Sequence, residues 1–168
     1  ARTAFDSLAA ALREVAARPD SLLSKLAREI SPEELVSNSA VFLFGGIETS
    51  EGMTANVLHH LLTNTGQLAA VGRDHSLIEA AVEESLRLEP AAARVDRYAT
   101  RNVELGGCLI AAGDFVAVSI AAANRDPEHY PYPDRFDVRR SNARTHLAFA
   151  HGPHVCIGST LARLQTRA

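Results

Sequence analysis

One helical pattern dominates what this chain can fold into. From Pro32 apolar residues recur at helical spacing as far as about Leu62, where Thr63-Asn64-Thr65-Gly66 breaks the pattern. At the usual rise per residue such a helix is roughly 45 Å long, so other elements must wrap it on several sides. Its start is marked by Ser31-Pro32-Glu33-Glu34, with Ser31 as N-cap, Pro32 as first helical residue and Glu34 as reciprocal partner in a capping box. Its middle holds Gly45-Gly46, and each glycine costs about 1 kcal/mol relative to alanine in a helix interior. Two adjacent ones imply a use for the missing side chains.

Shorter patterns flank it. Phe5, Leu8, Ala9, Leu12 and Val15 predict a helix over Phe5 to Ala17, ended by Arg18-Pro19-Asp20, and Leu22 to Ile30 repeats the spacing briefly. Ser76 to Leu88 reads as a further helix, with Ser76 and Glu79 as a second capping box and Pro90 as its stop. The period then changes. Val103-Glu104-Leu105 and Cys108-Leu109-Ile110 flank Gly106-Gly107, a two-residue hairpin signal, and Phe115 to Ser119 follows Gly113-Asp114. These segments predict one small antiparallel sheet. From Asn124-Arg125-Asp126-Pro127 to Thr145 the chain reads as irregular, and so long a loop usually has a job. A last helix begins near Thr160. The expected fold class is mainly α with a small antiparallel β portion.

Composition excludes several functions. A net charge of -3 leaves no basic footprint for a phosphate backbone, which argues against nucleic acid as the main partner. Glu48 and Glu51 interrupt the most apolar segment, so no run reaches the length of a membrane-spanning helix. Cys108 and Cys156 are too few for a disulfide scaffold, and two free thiols point to a reducing compartment, here the cytoplasm. Small molecules and proteins remain as partners.

Chemistry concentrates in Phe149-Ala150-His151-Gly152-Pro153-His154-Val155-Cys156-Ile157-Gly158. The glycines let the backbone turn tightly beside a bulky ligand, and Cys156 sits just ahead of a helix N-terminus, where the dipole and free N–H groups favour a thiolate. Such a thiolate can ligate iron. Two other readings are an inert buried cysteine and a zinc site made of His146, His151, His154 and Cys156, but neither accounts for Phe149 and the glycines.

The segment closely resembles the haem-binding signature of the cytochromes P450, Phe-x-x-Gly-x-(Arg/His)-x-Cys-x-Gly, with Phe149, Gly152, His154, Cys156 and Gly158 at the matching positions. Ala150 departs from the glycine that many members have. The resemblance implies that Cys156 is the axial ligand of a haem b (iron protoporphyrin IX), that His154 bonds a propionate and that Phe149 packs by the sulfur. It also gives Gly45-Gly46-Ile47-Glu48-Thr49-Ser50 a role as the oxygen-binding motif. Gly45 and Gly46 would open a groove, Thr49 would bond the Gly45 carbonyl or dioxygen, and Glu48 would relay protons. Glu84 and Arg87, three apart on a helix, share a face and match the family's Glu-x-x-Arg pair. Pro133-Asp134-Arg135-Phe136 matches the segment that supplies a third member, Arg135, to a buried structural triad.

Arg97 falls where the family places a second propionate-binding arginine, with Arg94 as competitor. Arg139, Arg140 and Arg144 form a local basic cluster able to dock an acidic electron donor, or simply a solvated face. Cys108 receives no function.

The implied activity is that of a haem-dependent monooxygenase, using dioxygen, a small organic substrate and a ferredoxin-type donor fed by an NAD(P)H-dependent reductase. A haem-binding or sensing module without turnover and a His/Cys metal-binding domain are the alternatives. Residues 1–168 are expected to form one partial domain, the C-terminal half of such a protein, with its N-terminal half and last C-terminal strands lying outside the sequence. Val41, Phe42, Leu43 and Phe44 would then lack partners, and the chain alone is expected not to be a competent enzyme.

Overall fold

Ser31 and Glu34 close the capping box in both directions. The Ser31 N–H donates to Glu34 Oε2 at 2.9 Å, and the Glu34 N–H donates to Ser31 Oγ at 3.2 Å. Those bonds satisfy two of the amides a helix start leaves without intrahelical partners, and they hold the Glu34 carboxyl below its ordinary range. The helix they open, α3, runs from Pro32 to Thr63, 32 residues without a break.

The computed structural model describes residues 2–168, which divide into two compact units between Glu48 and Thr49, within α3. In the first unit α1 (Arg2–Ala16) and the short α2 (Leu22–Leu26) precede α3. Ala9, Leu12 and Val36 form its small core, with Leu8 and Leu23 beside them. The helix expected over Leu22 to Ile30 is thus shortened to one and a half turns. Ser21 caps it, accepting a bond from the Ser24 N–H at 2.9 Å.

The second unit begins with the end of α3, after which Asn64 leads directly into α4 (Thr65–Arg73). A helix follows where the sequence pattern shows only a break. Asn64 permits this by turning its side-chain amide back onto the His60 carbonyl, at 2.8 Å. The second predicted capping box does not form. Asp74 accepts bonds from the Ser76 N–H and hydroxyl and opens a single 3-10 turn, His75–Leu77, before α5 (Ile78–Leu88). Glu79 pairs instead with Arg144 and Arg167.

The β portion is two ribbons rather than one sheet. β2 (Val103–Leu105) pairs with β3 (Cys108–Ile110) across Gly106 and Gly107, whose φ values of 58° and 79° are those a tight hairpin turn requires. β1 (Arg94–Tyr98) pairs antiparallel with β4 (Phe115–Ser119), Arg94 opposite Ser119 and Tyr98 opposite Phe115. β1 escapes a pattern search because three of its five residues are charged. α6 (Ile120–Ala123), the irregular stretch and α7 (Ser159–Arg167) complete the unit.

α5 is its centre. Every residue from Ala81 to Leu88 is buried. One side packs Ala81 and Leu88 with Val71, Phe136 and Val138; another packs Val82 and Leu86 with Met53 and Val57, flanked by Phe149 and Ala162. The irregular stretch and the start of α7 are therefore folded onto one helix.

Candidate functional site

Two adjacent carboxylates on α5 organise everything around them. Glu84, wholly buried, takes Arg87 as a fork: Nε donates to Oε2 at 2.8 Å and Nη2 to Oε1 at 2.9 Å. The rest of the Arg87 guanidinium donates to the backbone carbonyls of Asn124, Pro133 and Arg135, at 2.9, 2.7 and 3.3 Å. A second guanidinium, that of Arg140, donates to Glu84 Oε1 at 2.9 Å and to the carbonyls of Pro131, Tyr132 and Arg135. The irregular stretch is a series of isolated turns, such as Tyr130 N–H to the Asp126 carbonyl and Arg135 N–H to the Tyr132 carbonyl, and these two planar donors tie the carbonyls between the turns to α5.

The third member of the triad is therefore Arg140, not Arg135. Arg135 is exposed and offers only its carbonyl oxygen. The cause is a turn after the buried Phe136: the Arg140 N–H donates to the Asp137 carbonyl at 3.0 Å, which brings the Arg140 side chain back to Glu84, while Arg135 and Arg139 stay exposed. The same inward turn removes Arg140 from the basic cluster. Arg144 is paired with Glu79, which leaves Arg139 exposed.

Glu83 serves the other end of the unit. Arg163 of α7 donates to it twice, Nε to Oε1 at 2.6 Å and Nη2 to Oε2 at 3.2 Å, and His146 Nε2 lies 3.1 Å from Oε2. His146 Nδ1 accepts the Ala148 N–H at 3.1 Å, so the proton of the neutral ring sits on Nε2 and points at Glu83. Burial alone would raise the Glu83 carboxyl. The hydrogen bonds from His146 and Arg163, with the Arg163 charge, outweigh it and hold the group at about 2. His146 is thus committed to Glu83 rather than to a metal. Among the described residues no group of three or more His, Cys, Asp or Glu side chains is placed to hold one.

The cysteine loop rests on this base. Phe149 is half-buried, and its carbonyl accepts the Cys156 N–H at 2.9 Å. Ala150 and Gly152 adopt left-handed backbone, φ 60° and 77°. For Ala150 that conformation costs about 1–2 kcal/mol, which explains why glycine suits this position. Gly152–His154 form a 3-10 turn, and the free, exposed thiol of Cys156 stands just before Gly158, the N-cap of α7. A Cβ at Gly158 would lie 3.9 Å from Sγ, in ordinary contact. Val155, Ile157 and Leu161, near Cys156 along the chain, are exposed, and so is His154.

On β1, Arg94 and Asp96 share a face and pair at 3.0 Å, while Arg97 on the opposite face donates Nη1 to the Asp96 carbonyl at 2.8 Å. In α3 a Cβ at Gly45 or Gly46 would meet nothing within 4 Å, and Glu48 and Thr49 are exposed. Gly45, Gly46 and Glu48 belong to the first unit, and Thr49, Arg97 and the cysteine loop to the second. Cys108 is exposed on β3.

The sequence matches the family Cytochrome P450 over residues 73–168, more than half of the chain. The chain belongs to the cytochrome P450 family. Over 156 residues, 88% of this chain, it is 44% identical to the cytochrome P450 monooxygenase PikC of Streptomyces venezuelae, of which it covers 37%. It is 42% identical over 153 residues to the 6-deoxyerythronolide B hydroxylase of Saccharopolyspora erythraea, covering 87% of this chain and 38% of that one. The solved structure of cytochrome P450 CREJ in complex with (4-ethylphenyl) dihydrogen phosphate superposes with a TM-score of 0.92 at 34% identity, covering 97% of this chain and 42% of that one. The chain thus spans well under half the length of these P450 relatives. Membership of the P450 family implies a haem cofactor. No described helix is long and apolar enough to cross a membrane.

Sequence reasoning missed Glu83 and Arg163, placed Arg140 only in the basic cluster, and considered His146 only within the alternative zinc set. Arg140 follows a turn, with no apolar period to mark it as inward-facing. Glu83, beside an equally charged neighbour, carried no signal either.

Proposed function

We propose that the whole protein to which this chain belongs is a haem-dependent monooxygenase, and that Cys156 supplies the iron's thiolate. The observation that carries this reading is the exposed Cys156 thiol just before α7, framed by glycines, with Val155, Ile157 and Leu161 of the same segment also exposed. That donor set fits a haem: a large apolar disc would cover those side chains, and the helix N-terminus favours the anionic sulfur. Bound there, haem b supplies the redox chemistry that puts one atom of dioxygen into a small organic substrate while two electrons and two protons carry the other away as water.

The remaining work falls to the chain's own residues. His154 and Arg97 hold the carboxylates of the cofactor, Arg97 being preferred because Asp96 already engages Arg94. Phe149, Gly152 and Gly158 shape the loop. Gly45 and Gly46 leave space beside α3, Glu48 takes protons from water, and the Thr49 hydroxyl passes them on. Glu84, Arg87 and Arg140 hold the irregular stretch, a structural role. Exposed Arg139 contributes to docking an acidic, ferredoxin-type donor served by an NAD(P)H-dependent reductase. Two unpaired thiols suit the cytoplasm. The activities in the names of the two curated relatives support the reading.

The test is spectroscopic. Haem-loaded protein, reduced and exposed to carbon monoxide, is expected to give the strongly red-shifted band of a thiolate opposite the gas, and Cys156→His is expected to lose it because imidazole donates less electron density. An unchanged band in that variant would overturn the ligand assignment. In the full-length protein Thr49→Ala should divert reducing equivalents to peroxide, since positioned proton transfer contributes about 10²–10⁴-fold. Haem binding with no substrate oxidation under any donor would point instead to a module without turnover.

A further inference from the structure

We propose that Glu83 is a positioning residue for Cys156, fastening both ends of the cysteine loop to α5 through Arg163, Phe149 and His146. Two residues that bracket the thiol, His146 and Arg163, converge on this one carboxylate, and Phe149 joins them through Arg163. His146, just before the loop, donates Nε2–H to Oε2 at 3.1 Å and uses Nδ1 to hold the Ala148 N–H. Arg163, seven residues beyond Cys156 on α7, binds both carboxylate oxygens. The same guanidinium lies over the Phe149 ring, 4.5 Å from its centroid, and Phe149 in turn accepts the Cys156 N–H.

The arrangement is a clasp. The chain leaves α5's surface at His146, passes Phe149, turns at Ala150 and Gly152, presents Cys156 and returns along α7 to Arg163. Without Glu83 the Arg163 guanidinium would have no carboxylate to fix it, and the Phe149 ring would lose the fixed cation above it. The Phe149 carbonyl, which sets where the Cys156 backbone sits, would then be free to shift. Glu84, one residue on, has no part in this: its partners are Arg87, Arg140 and the Asp137 N–H. Adjacent carboxylates thus hold different segments, Glu84 the irregular stretch and Glu83 the cysteine loop. The inference rests on the proposed ligand role of Cys156 only for its meaning, since the positioning itself is measurable on the thiol without haem.

The experiment uses the full chain in a Cys108→Ser background, so that Cys156 is the one thiol present. Amide exchange at residue 156 and the rate of Cys156 modification by a maleimide are compared for Glu83→Gln, Arg163→Met, Arg163→Lys and Ser85→Ala. Ser85 is a neighbour on α5 whose hydroxyl pairs with His60 instead, which makes it the control for general loosening of the helix. Loss of a charged hydrogen bond corresponds to about tenfold or more in a local opening constant. Glu83→Gln and Arg163→Met are therefore expected to speed exchange at residue 156 by that factor or more over Ser85→Ala, with a parallel change in thiol reactivity, and Arg163→Lys to recover part of it. Arg163 is partly exposed, so its variants keep the test decisive should Glu83→Gln not fold. Exchange and reactivity in the Arg163→Met protein no different from Ser85→Ala would overturn the proposal. Loss of the carbon monoxide signature with the exchange pattern intact would overturn the ligand reading alone.

Discussion

In α5 the charged residues Glu83, Glu84 and Arg87 are 1, 0 and 0% exposed, whereas in the middle of α3 Phe42 and Phe44 are 54 and 77% exposed. The hydrophobic effect alone would reverse the two. What separates the helices is the supply of partners. Each carboxylate oxygen on α5 meets a guanidinium, an imidazole or a backbone amide, so desolvation is offset by charge-assisted bonds. Val41 to Phe44 and Ile47 have apolar surface to bury, and the described residues do not cover it. Burial of a residue therefore reports what its neighbours offer as much as what the residue prefers.

The largest effect should come from Glu84. Replacing it by alanine leaves Arg87 buried and strips Arg140 of its carboxylate, and breaking a buried pair in this way costs about 3–5 kcal/mol, a large part of a domain's about 5–15 kcal/mol. Denaturant unfolding of Glu84→Ala should show a lost or strongly shifted transition. A midpoint close to the parent's would mean that α5's charges are tolerated rather than required.

A matched pair of substitutions sharpens the contrast next. Leu86→Ala on α5 should cost about 2–5 kcal/mol by opening a cavity among Met53, Val57 and Val82. Leu43→Ala on α3 should stay within about 0.5 kcal/mol, as exposed substitutions do. Equal losses in chemical denaturation would show that the centre of α3 is covered in solution.

Acid should act through Glu83. Its folded value of about 2 lies below the ordinary 4.5, so its contribution is complete above that ordinary value and declines as pH falls towards 2. The difference corresponds to about 3 kcal/mol by linkage. Stability measured against pH should fall in the parent between about 5 and 2 and be flatter in Glu83→Gln; parallel curves would assign acid sensitivity elsewhere.

The smallest effect belongs to the start of α3. Ser31→Ala removes one direction of the capping box and should cost about 1 kcal/mol, read as a small shift in midpoint. No change would mean that α3 is set by packing rather than by its end.

Several features were legible without coordinates because the atoms that decide them lie within a few residues of each other. The capping box of Ser31 and Glu34, the Gly106-Gly107 hairpin, the length of α3 and the glycine-framed Cys156 before α7 are of this kind, and the haem-loop resemblance rests on the last. Local logic also misled where two local solutions competed. Asp74 displaced Ser76 as cap, and Asn64 turned an apparent break into the entrance to α4.

Which arginine a carboxylate takes was not written locally. Glu84 reaches Arg140 across 56 residues, and Glu83 reaches Arg163 across 80. The sequence by itself determined the long helix α3, the Gly106-Gly107 hairpin and the glycine-framed setting of Cys156, since backbone geometry and nearest neighbours dictate those. The tertiary structure alone decided that Arg140 and not Arg135 turns inward, that His146 serves Glu83 rather than a metal, and that the cysteine loop is fastened to α5. Long-range electrostatic pairing is chosen by which side chains packing brings face to face, and no spacing along the chain encodes that.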